Sequence, residues 1–161
     1  MCAFLLVGEI LKNRDEIFMN EALKQAKRAY YYDDVPIGAV IVKNDRIISK
    51  AYNKKEKNNI VTEHAEILAI NKACKKLNNW RLNDCTIYIT LEPCLMCIGA
   101  ILQSRIGRIV YGASNGNFGF TNAISENLDQ FEKKYNLEIT SGLYADKSRF
   151  LLQQFFQEKR R

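Results

Sequence analysis

The 161-residue sequence holds a single histidine, two prolines and one tryptophan, and it lacks several features that would set its class at once. No apolar run reaches the roughly 18–20 residues needed to span a bilayer. The short apolar start within Met1–Val7 has no basic residues before it and no small-residue cleavage site, so it makes a poor signal peptide. There is no repeat, no low-complexity tract and no Pro/Gly/Ser-rich linker, which predicts one domain over residues 1–161. Paired cysteines are missing too. The five (Cys2, Cys74, Cys85, Cys94 and Cys97) are odd in number and only the last two are close, which excludes a secreted disulfide framework and predicts a reducing cytoplasm.

What is present is an ordinary globular balance, 47% hydrophobic and 26% charged residues, with a formal net charge of +6 and a pI near 9.1. The charge fits either a solvated basic surface or a polyanionic partner such as nucleic acid.

Periodicity gives the elements. Residues 15–30 read as an amphipathic helix, with Phe18, Ala22, Ala26 and Ala29 on one face. Residues 1–14 read as a loosely ordered extension, or as translation from a start placed too early. Residues 31–35 form a loop, and two β-branched runs (36–42 and 46–51) around Asn44-Asp45 predict a hairpin. An exposed lysine-rich loop (54–59), a helix (63–77) and a strand (86–91) follow. Pro93 is expected to open a helix running to about Ser104. Next come a strand (108–112), a polar loop (114–120), a last strand (138–143) and a closing helix (146–157). Strands alternating with helices after a hairpin predict an α/β domain with a central mixed five-stranded sheet.

Two stretches carry chemistry: Glu63-His64-Ala65-Glu66-Ile67, and Thr90-Leu91-Glu92-Pro93-Cys94-Leu95-Met96-Cys97. One imidazole and two thiols make three ligands for zinc and leave a fourth position for water. Cys94 and Cys97, three apart, lie about 60° apart around a helix and so face one way. His64 and Glu66, two apart, would diverge by about 200° in mid-helix, so they share a site only at a helix N-terminus. Two helix starts converging on one ion are therefore expected, each favouring thiolates through its free N–H groups. Glu66 is then free to carry protons, and the Cys94 backbone N–H to steady the attacking oxygen. Cys74 and Cys85 are expected in the core. Taken singly, a Cys-x-x-Cys pair fits redox chemistry or chance, and a lone histidine fits a structural role; in this order and context they favour catalytic zinc.

His64-Ala65-Glu66 with Pro93-Cys94-Leu95-Met96-Cys97 is the signature of zinc-dependent nucleobase deaminases. From about Asp15 onward the chain resembles the bacterial tRNA-specific adenosine deaminases. The phrases carrying this also include Val35-Pro36-Ile37-Gly38-Ala39-Val40, the run from Ser104 to Ala113 through Arg105-Ile106-Gly107-Arg108, and Phe155-Phe156 before the basic tail Lys159, Arg160 and Arg161. The resemblance implies a three-layer α/β/α cytidine-deaminase-like fold, a homodimer, and deamination of adenosine to inosine at the wobble position of a tRNA anticodon. It implies His64, Cys94 and Cys97 as zinc ligands, Glu66 as proton shuttle, and Asn53, Asn115, Phe155 and Phe156 as substrate contacts. Adjacent helical residues cannot share a face, so one of the two phenylalanines is expected in the core.

The chain also departs from that pattern. Asn115 and Asn117 stand where the family has an acidic residue and a lysine, Phe120 stands where a small residue is common, and residues 132–136 lack the family's basic, histidine-containing turn. An asparagine accepts a ribose hydroxyl more weakly than a carboxylate does, so looser discrimination of RNA from DNA, or a changed substrate grip, is expected. Two other readings stand beside the first. One is a deaminase of free guanine, cytosine or a nucleoside; the other is a nucleic-acid-binding protein with structural zinc, which would have no use for Glu66.

Overall fold

The computed structural model describes residues 2–124 and 126–160, with side chains from Asn13 onward. Five strands form one mixed sheet in the order β2-β1-β3-β4-β5. β1 (Gly38–Lys43) pairs antiparallel with β2 (Arg46–Tyr52) and with β3 (Cys85–Leu91), whereas β4 (Arg108–Ala113) and β5 (Glu138–Thr140) continue parallel. The hairpin turn is Asn44-Asp45, both at positive φ, the left-handed geometry whose twist suits a two-residue loop.

Strand alternation divides the core. Ala39, Ile41, Ile87, Ile89, Ile109 and Tyr111 face one side; Val40, Val42, Tyr88 and Val110 face the other. The first side is covered by α3 (Ala65–Leu77) and α4 (Leu95–Gln103), the second by α1 (Cys2–Tyr31) and α6 (Ala145–Lys159). The expected three-layer α/β/α architecture is therefore present. α1 packs so closely that a Cβ at Gly38 would run into the Ala22 carbonyl. Asp15 ties α1 to the sheet by accepting from the Tyr88 hydroxyl at 2.7 Å and from the two terminal Arg108 guanidinium nitrogens at 2.8 Å.

Several boundaries differ from expectation. The helix expected over 15–30 begins at Cys2, so the backbone of the expected loose extension is helical; Met1 and the side chains of residues 2–12, Cys2 included, lie outside the described residues. Pro93 does not open α4. It precedes the N-cap, Cys94, which is itself in extended backbone and links the end of β3 at Leu91 to the first helical residue, Leu95. The last strand stops at Thr140, since Gly142 (φ +87°) and Tyr144 (φ +55°) turn the chain off the sheet edge into α6. The lysine-rich loop contains a short exposed helix, α2 (Lys55–Asn58). A helix absent from the sequence reading, α5 (Leu128–Tyr135), starts at Asn127, whose side chain accepts from Gln130 N. Phe120, expected on a substrate loop, is fully buried against Tyr111 and Phe131. Among the described residues no helix is long and apolar enough to cross a membrane.

Candidate active site

β2, β3 and β4 all end at the same edge of the sheet, because β2 and β3 are each antiparallel to β1 and β4 is parallel to β3. Ligand sites in open α/β sheets gather beyond such strand ends. Beyond β2 comes Asn53, beyond β3 comes Glu92-Pro93-Cys94, and beyond β4 comes the 114–120 loop.

His64 and Cys94 are the N-cap residues of α3 and α4, both in extended backbone, so the two helix starts point into one place as expected. The His64 Nδ1 lies 3.7 Å from Cys94 Sγ and 3.5 Å from Cys97 Sγ, and the three donor atoms all fall within 4.8 Å of one another. This cluster suits a metal ion, and it is the one such group of three or more found among the described residues.

The cluster is electrostatically primed. The Cys94 thiol is brought down to about 4, chiefly by the Cys97 thiol hydrogen-bonding to it and, against the cost of burial, by the His64 ring. Cys97 moves the opposite way, held protonated by its bond to Cys94 and by burial. His64 is raised by its bond to the Cys94 sulfur.

Glu66, in the first turn of α3, is 4% exposed, and its Oε2 has no hydrogen-bond partner. Burial pushes its carboxyl above the ordinary range. A buried carboxylate with an orphaned oxygen is costly, and a strained acid of this kind beside a His–Cys–Cys cluster marks a candidate functional group.

Asn53 is 3% exposed. Its Nδ2 donates to Asp34 Oδ1 at 2.7 Å, leaving Oδ1 buried without a partner. The orientation follows from chemistry, since a carboxylate only accepts and must face the amide nitrogen. Asp34 is itself fully buried and also accepts from Val35 N and Lys57 N. Sequence reasoning placed Asp34 in a plain loop and missed it.

Glu92 was likewise part of a quoted motif without a role. Its buried carboxylate accepts from Asn115 N, Thr121 N and Thr121 Oγ1, and so pins the 114–121 segment beside Cys94. A Cβ at Gly119 would overlap that carboxylate, which accounts for the glycine. Asn115 is half-exposed and held by its backbone. On α6, Phe155 is buried against Tyr30 while Phe156 is exposed, so one of the pair is core as expected. Lys159 of the basic tail pairs with Asp33, and Arg161 lies outside the described residues. Cys85 is buried and Cys74 is partly buried against the same core.

The MafB19-like deaminase family profile matches residues 12–160. The tRNA-specific adenosine deaminase of Rickettsia bellii is 47% identical over 147 residues, covering 88% of this chain and 99% of its own. The chain belongs to the tRNA-specific adenosine deaminase family. Two solved structures frame this deaminase. One, from work on A-to-I editing by tRNA:A34 deaminases at the wobble position of transfer RNA, superposes with a TM-score of 0.75 at 38% identity and covers 84% of this chain and 98% of that one. The other, a guanine deaminase from Bacillus subtilis, gives a TM-score of 0.61 at 36% identity, covering 73% and 74%.

Proposed function

We propose that this deaminase hydrolyses adenosine to inosine at the wobble position of a tRNA anticodon, with one zinc ion held by His64, Cys94 and Cys97. Bond lengths of about 2.0–2.1 Å to nitrogen and about 2.3 Å to sulfur place tetrahedral N and S ligands about 3.6 Å apart, and the 3.5 and 3.7 Å separations fit that spacing. Thiolates with imidazole favour zinc over magnesium or calcium. When bound, zinc supplies a water whose pKa falls to about 7.

The chain's own residues do the rest. Glu66 Oε2 takes a proton from the attacking water and gives it to ring N1 as the C6–O bond forms; it then takes the proton of the new C6 hydroxyl and gives it to the amine, which leaves as ammonia as the C6–N bond breaks and C6=O forms. Asn53, fixed by Asp34, presents its free Oδ1 to the substrate. Asn115 stands beside the ribose, Phe156 is the ring free to meet the RNA, and Phe155 seats the helix that carries it. The reading includes a single domain working as a homodimer in the cytoplasm, where free cysteines are at home.

The carrying observation is the orphaned Glu66 oxygen beside the His–Cys–Cys cluster. Incubated with an anticodon stem-loop RNA carrying adenosine at the wobble position, the zinc-loaded protein is expected to form inosine. Glu66→Ala is expected to keep its zinc and lose at least about a hundredfold in kcat; wild-type turnover by that variant would defeat the assignment. A second reading, deamination of a free base such as guanine, is favoured by the likeness to the guanine deaminase and by Asn115 and Asn117 in the loop.

A further inference from the structure

Beside the catalytic cluster lies a group of aromatic and basic side chains that the chemistry above does not use. Tyr32 stacks on Tyr52 with ring centroids 5.8 Å apart and planes 14° from parallel. Lys57 Nζ lies 3.8 Å over the Tyr32 ring, and the Arg28 guanidinium 5.0 Å over Tyr52. Tyr31 forms a T-shaped pair with Tyr32 at 5.2 Å and is 82% exposed, which leaves a face of its ring open to solvent.

The positive charge here is uncompensated. Among the described residues, no carboxylate forms a salt bridge with Arg28, Lys54 or Lys57. The neighbouring acids in sequence are occupied, since Asp33 binds Lys159, Asp34 is buried on Asn53 and Glu56 pairs with Lys55. Lys72 registers the field: its amine is held below the ordinary range by burial and then by Lys54 and Arg28.

The group is continuous with the site. Tyr52 immediately precedes Asn53, the Lys57 backbone N–H donates to the Asp34 that orients Asn53, and Lys54 N donates to the Glu63 carbonyl next to His64.

We propose that Tyr31, braced by Tyr32 and flanked by Arg28, Lys54 and Lys57, is a stacking platform for one unpaired base adjacent to the target nucleotide. Open aromatic faces interleaved with free cations are what single-stranded nucleic acid needs: a π surface for the base and charges for the phosphates on either side. An acidic protein segment could use the cations but would leave an open tyrosine face without a purpose. The proposal rests on the reading that the substrate is an RNA loop. It adds where the neighbouring nucleotide goes once the target has left the stack.

The test is fluorescence anisotropy of a labelled anticodon stem-loop bound to the full-length, zinc-loaded protein, with inosine formation followed in parallel. Tyr31→Ala removes an exposed ring and is expected to fold normally; it should weaken binding about tenfold, within the range for losing one base–aromatic stack. Tyr31→Phe should restore affinity, since stacking needs the ring and not the hydroxyl. With an abasic residue placed immediately 5′ or 3′ of the target, the Tyr31→Ala penalty should vanish on one of the two hairpins. Lys57→Ala should lower the salt slope of binding by about one. Binding indifferent to Tyr31→Ala, with inosine still formed, overturns the platform alone and leaves RNA deamination standing. An equal penalty on both abasic hairpins also overturns it. A hairpin gripped through Tyr31 but never deaminated supports the platform and defeats the deamination reading. A wild type that binds no hairpin defeats both.

Discussion

Asp34 carries no reactive chemistry, yet it decides which end of the Asn53 amide is free. Asp34→Asn leaves one acceptor oxygen where the carboxylate had two, so either Asn53 Nδ2 or the Lys57 N–H must face an amide N–H, and the charge that holds the Asn53 amide in place is lost. The expected result is a fall in kcat/KM of about 10–100-fold, the scale of a hydrogen bond to a charged group, with only a few degrees lost in Tm. Unchanged kcat/KM in a folded variant would contradict the positioning role. The roles of Asp34 and Glu92 were not legible in the sequence, because their partners are remote: Asn53 lies 19 residues from Asp34, and Asn115 and Thr121 lie 23 and 29 residues from Glu92. His64, Cys94 and Cys97 could be picked out because donor type, spacing and order along the chain together point to one cluster, and Glu66 because it shares a helix start with His64.

The helix starts of α3 and α4 do at the element scale what no single side chain could. Each brings an N-cap donor and a first turn of free N–H groups to one point, where a thiolate is favoured. Removing the metal leaves a thiolate, a thiol and an imidazole in contact with no ion to hold them. Chelation is therefore expected to abolish deamination and lower Tm, with both restored by one equivalent of zinc; activity surviving complete metal removal would contradict the site. Strands with strict alternation and the hairpin turn were readable from pattern. The start of α4 was not, because a proline before a helix fits either N1 or a position ahead of the cap. α5 did leave a signal in its Asn127 cap and in Leu128, Phe131 and Tyr135 at helical spacing, but its short length and the surrounding polar residues masked it.

Across the whole molecule, Asp15 joins the long first helix to β3 through Tyr88 and to β4 through Arg108, which also binds Glu138 of β5. Burial works to raise the Asp15 carboxyl, but the Arg108 and Tyr88 hydrogen bonds outweigh it and hold it below its ordinary value of 3.8. A carboxylate lowered in the folded state contributes stability that is fully present above that ordinary value and disappears as pH falls through the folded one. Asp15→Asn should thus cost about 1–3 kcal/mol at neutral pH, and the loss of wild-type stability in acid should flatten below pH 3.8 in the variant. Equal acid sensitivity of the two proteins, measured by denaturant titration, would contradict this. The same scale carries the net charge of +6, which a structure-free reading could not assign to a surface; Arg28, Lys54 and Lys57 give it a location near the site.

The central claim is that this site deaminates an adenosine presented by RNA. The direct measurement is kcat/KM of the zinc-loaded protein on an anticodon stem-loop against free adenosine, cytosine and guanine, following inosine and released ammonia. The account predicts turnover on the stem-loop, with the free bases and nucleoside slower by orders of magnitude. Efficient release of ammonia from guanine with none from the stem-loop would contradict it.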